Sequence, residues 1–67
     1  MFDQYEVIEL ARDLNPAIRK GTRGTILEVL SEDCFEVEFL NEKGRNLEFD
    51  GQYTFTVKSS DIKPVSS

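Results

Sequence analysis

The chain has 67 residues, enough for one domain, and a domain of about 60 residues buries only roughly 60% of the surface its unfolded chain exposes. Apolar residues make up 39% of it and charged ones 31%, with five Phe and two Tyr, a balance that excludes disorder and builds one compact core. Thirteen Asp and Glu against eight Lys and Arg give a formal charge of -5, which repels a phosphate backbone and favours a basic protein surface as the partner.

The run Tyr5-Glu6-Val7-Ile8-Glu9-Leu10-Ala11 is short and rich in β-branched and aromatic residues, and it predicts a first strand. Glu6, Ile8 and Leu10 would share one face and Tyr5, Val7, Glu9 and Ala11 the other, and neither is cleanly apolar. Asn15-Pro16 then signals a loop, because the residue before proline is pushed away from helical angles; a helical turn after Pro16 stays open. Leu14 and Ile18 are expected to anchor the two shoulders of this loop on the core. In Lys20-Gly21-Thr22-Arg23-Gly24-Thr25, two glycines three apart precede the apolar run Ile26 to Leu30. Positive φ is expected at both Gly21 and Gly24, where the chain turns into a second strand over 24–30.

Ser31-Glu32-Asp33 connects to a third strand over 34–39, whose alternation sends Phe35, Val37 and Phe39 inward and Glu36 and Glu38 into water. Asn41-Glu42-Lys43-Gly44 reads as a tight turn with Gly44 in a left-handed position, so 46–49 is expected to return antiparallel beside the third strand until Asp50-Gly51 breaks it. Tyr53 to Val57 alternates again, 59–62 reads as one helical turn, and Lys63-Pro64-Val65 closes the sheet edge. Ser66 and Ser67 are expected to fray. With no repeat, linker or low-complexity stretch, residues 1–67 read as a single all-β domain with its core at about 5–65.

Several of these landmarks occur together: Glu6-Val7-Ile8-Glu9-Leu10, Asp13-Leu14, Lys20-Gly21-Thr22-Arg23-Gly24-Thr25, Phe35-Glu36-Val37-Glu38-Phe39, Gly44 and Asp61-Ile62-Lys63-Pro64-Val65. The set resembles an uncharacterised family of short bacterial SH3-like proteins that carries a domain-of-unknown-function label. The resemblance spans about residues 6–65 and is most specific in the Lys-Gly-x-x-Gly-Thr turn and the Glu-Val-Glu-Phe strand. It implies a small, five-stranded, bent antiparallel SH3-like barrel with one short helical turn before the last strand, and it brings no cofactor or catalytic residue with it. Between Gly44 and Asp61 the chain is longer than the family's usual stretch, which predicts an added turn or bulge there.

Little in the composition supports catalysis. Histidine is absent, which removes imidazole acid–base chemistry and His-containing metal sites, and one cysteine cannot build a zinc site. Cys34 stands beside Asp33, Phe35 and Glu36, neighbours that disfavour a thiolate, so it is read as packing. The paired glycines lack the following helix that a phosphate-cradling loop requires. No loop carries oxygen ligands at calcium-binding spacing, and the absence of Trp argues against a proline-recognising groove. The expectation is a non-enzymatic protein without metal or cofactor. A single cysteine and the lack of an apolar run near the ~20 residues needed to span a bilayer point to a reducing, cytoplasmic setting.

Two surfaces are candidates for binding. Glu36 and Glu38 share a strand face, Glu28 should lie across from them, and Glu48 on the predicted fourth strand would join the same surface. Like charges accumulated on one sheet face suit a basic protein partner, such as a toxin or nuclease masked by an antitoxin or immunity-type inhibitor, or the other members of a larger assembly. A merely solvated face that discourages edge pairing explains the same pattern. The alternative is a nucleic-acid-binding module using Arg12, Arg19, Lys20 and Arg23, with Arg45 as a further contact, around the glycine turn.

Overall fold

The structure is a computed structural model and describes residues 2–65. Its five strands are β1 (Val7–Leu10), β2 (Arg23–Ser31), β3 (Cys34–Leu40), β4 (Thr54–Lys58) and β5 (Ile62–Pro64), with a 3-10 turn at Ser59–Asp61 leading into β5. All pair antiparallel in one sheet of order β4-β3-β2-β1-β5, an SH3-like arrangement. With no α-helix among the described residues to cover it, such a sheet buries its apolar side only by curling over itself. The core shows this directly, because every strand feeds one cluster: Ile8 and Leu10, Ile26, Phe35 with Val37 and Phe39, Phe55 with Val57, and Ile62. The two faces left open for β1 are thereby decided, with Ile8 and Leu10 inside and Val7 outside.

The bend is built into β2. Ile26 faces Val37 and Glu28 faces Glu36, leaving Leu27 extra; Val29 faces Phe35 and Ser31 faces Cys34, leaving Leu30 extra. Each extra residue is a bulge that bends the strand and raises its twist, so one nine-residue strand serves both halves of the curled sheet. The loop after β1 is anchored as its apolar shoulders predict: Ile18 is fully buried and Leu14 packs against the core. The Asn15 carboxamide oxygen accepts the N–H groups of Ala17 and Ile18, a turn that aims Ile18 inward.

Three expectations need correction. Gly21 has φ +90 and Gly44 φ +79, as turn glycines should, but Gly24 does not have positive φ. It lies within β2, paired with Ile8 on one side and Phe39 on the other, and its lack of a side chain serves packing rather than turning. The stretch 46–49 is not a strand. β4 already occupies the free edge of β3 from Cys34 to Glu38, so only a single Leu40–Asn46 bridge and the Leu47 N–H to Phe39 carbonyl bond remain for the incoming chain. The first strand is also shorter than predicted, because Tyr5 takes φ +68, outside any extended region.

Between Gly44 and Asp61 the chain makes a tight turn. Asp50 (φ 55) and Gly51 (φ 79) form a two-residue reversal across which Phe49 and Gln52 exchange two 3.0 Å backbone hydrogen bonds. The fraying expected at Ser66 and Ser67 lies outside the described residues.

Candidate functional site

Strand pairing sets out the outer face in rows. One row runs Thr56 (β4), Glu36 (β3), Glu28 (β2); the next runs Thr54, Glu38, Thr25 and Val7 across β4 to β1; a third runs Leu40, Arg23, Glu9 and Lys63 across β3 to β5. Glu28 and Glu36 are therefore direct cross-strand partners of like charge, a mildly destabilising placement. Glu36 is fixed by its neighbours: the hydroxyls of Thr54 and Thr56 each donate to one of its carboxylate oxygens at 2.8 Å. Glu38 accepts a 3.3 Å bond from the Asn46 side chain. No cationic side chain among the described residues comes within 4.0 Å of Glu28, Glu36 or Glu38. Glu48 is placed differently from expectation: it lies in the loop before the Asp50-Gly51 reversal, where its carboxylate accepts the Gly51 N–H at 3.1 Å.

The basic residues do not form one patch. The Arg12 Nε lies 2.6 Å from the carboxylate of Asp61, whose other oxygen accepts the Lys58 N–H at 2.9 Å. Asp61 is buried, so Arg12 neutralises a carboxylate that the fold has enclosed and helps to pin the 3-10 turn against the end of β1, where the Asp61 carbonyl accepts the Ala11 N–H. Arg19 lies 3.9 Å from Asp13, which also accepts the Lys20 backbone N–H. That leaves the side chains of Lys20 and Arg23, from the predicted set, without a carboxylate within 4.0 Å among the described residues. Arg45 is exposed in the β3–β4 connection, its backbone N–H held by Asn41.

Lys20 and Arg23 both line a groove of about 790 Å³ that runs over the outer face beside the glycine turn, bounded across from it by the loop after β3. Val7, Leu40 and Leu47 supply its apolar lining and Glu42 its one carboxylate. These apolar residues were not singled out from the sequence, although a signal existed. Leu40 extends the outward series Cys34, Glu36, Glu38, so an apolar side chain stands where the alternation calls for a polar one. Val7 is half exposed for the same reason of parity. Cys34 belongs to this outward series too; it is half-buried and opposite Lys58, a free thiol rather than a core residue.

Among the described residues, no three His, Cys, Asp or Glu side chains are grouped to hold a metal ion, and no helix is long and apolar enough to cross a membrane. Residues 4–62 match the family described as Domain of unknown function (DUF4926). The chain belongs to this family. The DUF4926 match runs from before β1 through the 3-10 turn to the first residue of β5, and so includes the acidic face, the groove and the Arg12–Asp61 pair. No curated protein and no solved structure matches this DUF4926 chain.

Proposed function

We propose that this domain is a non-enzymatic protein-binding module that meets a basic protein surface through Glu28, Glu36 and Glu38. The observation that supports the reading is the direct Glu28–Glu36 pairing on the outer face, with no cationic side chain among the described residues within 4.0 Å of either. A fold that places like charges opposite each other gives up a few tenths of a kcal/mol per pair, and a cationic partner recovers it on binding. The Thr54 and Thr56 hydroxyls hold Glu36 in one orientation before any partner arrives, which reduces the ordering penalty of association. Small size and acidity fit an inhibitor of the antitoxin or immunity type, or an accessory subunit, and the unpaired cysteine fits a bacterial cytoplasm.

The nucleic-acid reading is weaker, because two of its four residues, Arg12 and Arg19, are engaged by Asp61 and Asp13. Parallel capture from host lysate with the tagged protein and with its E28K/E38K variant tests the proposal. A basic protein recovered stoichiometrically by the parent and lost with the variant is expected. Equal recovery by both, or nucleic acid without protein, would overturn it.

A further inference from the structure

We infer that the groove beside the glycine turn is a second binding site, and that it takes an extended acidic peptide segment carrying apolar side chains. Its volume of about 790 Å³ falls within the range of built ligand sites. Its lining combines two chemistries: Val7, Leu40 and Leu47 offer apolar surface, and Lys20 and Arg23 offer positive charge. The position of Arg23 is the telling detail. Its cross-strand neighbour on β1 is Glu9, a ready partner, yet the Glu9 carboxylate lies 3.8 Å from the Lys63 ammonium and Arg23 lines the groove with no carboxylate among the described residues within 4.0 Å. The Lys20 side chain likewise has no carboxylate among the described residues within 4.0 Å, Asp13 accepting its backbone N–H.

Charge complementarity selects the occupant. An extended segment sends alternate side chains to opposite sides, so apolar residues can settle on Val7, Leu40 and Leu47 while acidic ones reach Lys20 and Arg23. A nucleic acid fits less well, because no aromatic side chain lines the groove for bases to stack on. The inference stands apart from the acidic-face reading, since none of Glu28, Glu36 and Glu38 lines the groove, although Glu38 is the cross-strand partner of Thr25, which does.

The test uses the isotope-labelled protein and an acetylated, amidated heptapeptide alternating leucine and glutamate, followed by amide chemical shifts. Shifts are expected at Val7, across 20–25 and across 40–47, with weaker responses when lysine replaces glutamate or serine replaces leucine. The K20E/R23E variant should weaken binding about tenfold, and added salt should weaken it in the parent. K20Q/R23Q serves as the milder second variant, each protein being compared only if its spectrum keeps the dispersion of the folded parent. No shifts at millimolar peptide would overturn the inference. So would an equal response to the lysine peptide, shifts confined to Glu28, Glu36 and Glu38, or a stronger response in the groove to an eight-residue oligothymidylate.

Discussion

Gly24 and Glu38 approach so closely across β2 and β3 that a β-carbon on Gly24 would lie 2.5 Å from the Glu38 carbonyl oxygen. The same carbon would stand 2.8 Å from the Phe39 ring and 2.9 Å from a Val37 methyl. Two of these three neighbours are buried core side chains with no room to retreat, and the third is backbone held in a ladder. Gly24→Ala is therefore expected to destabilise the domain by about 3 kcal/mol, read as a lower midpoint in urea unfolding. An unchanged midpoint would mean that β3 yields at no cost. Gly21→Ala, with open space around the same atom, should instead lose only what its φ of +90 imposes.

Tyr5 holds φ +68 with its side chain largely in solvent, so little packing offsets the strain of a bulky residue in the left-handed region. Its backbone N–H still donates to the Ile26 carbonyl at 2.6 Å, which any replacement retains. Tyr5→Asn is expected to raise stability by about 1 kcal/mol in thermal melts. A loss of stability would assign the phenol ring a contact that its exposure does not suggest.

Asp61 joins the end of β1, through Arg12, to the start of the 3-10 turn, through Lys58. Asp61→Ala should cost about 2 kcal/mol, because it removes both a charge-assisted pair and a cap. Asp61→Asn keeps an oxygen for the Lys58 N–H and should lose about half as much. Denaturation at low and high salt separates the two parts: screening erodes the Arg12 contribution and leaves the cap. Equal losses for both variants would show that the charge matters and the cap does not.

Glu28→Gln relieves the repulsion with Glu36 and should raise stability by a few tenths of a kcal/mol. If the acidic face binds a basic partner, the same change should slow association with it. Stability gained without any loss of binding would leave the face with a purely solvating role.

Much of the fold was legible because alternation is strong where one face is buried. Phe35, Val37 and Phe39 against Glu36 and Glu38 identify β3 and its inward face without ambiguity, and Phe55 and Val57 do the same for β4. The 3-10 turn and the anchoring of Ile18 were equally readable from local chemistry. What sequence pattern could not weigh was competition for a partner. The stretch 46–49 looks like a strand, but β4 takes most of the edge it would need. Gly24 looks like a turn glycine because Gly21 is one, and only the neighbouring strands reveal the close approach it permits. Of the candidate site, Glu36 and Glu38 share a face because a period of two fixes their parity, whereas Glu28 joins them only because the extra residue Leu27 reverses the parity that Ile26 sets in β2. Glu48 depended on the missing strand, and the apolar lining of the groove comes from segments far apart in the chain.

The pairing of Ile8 with Pro64 places the first and last strands side by side at one edge of the sheet. The domain is in consequence a closed circuit in all but one covalent link. A few flexible residues joining the two ends, with a new opening at the Glu32-Asp33 or Asp50-Gly51 reversal, would give a circular permutant that keeps every strand neighbour. The same geometry lets the whole unit be spliced into a surface loop of another protein while its acidic face and its groove both stay open to solvent.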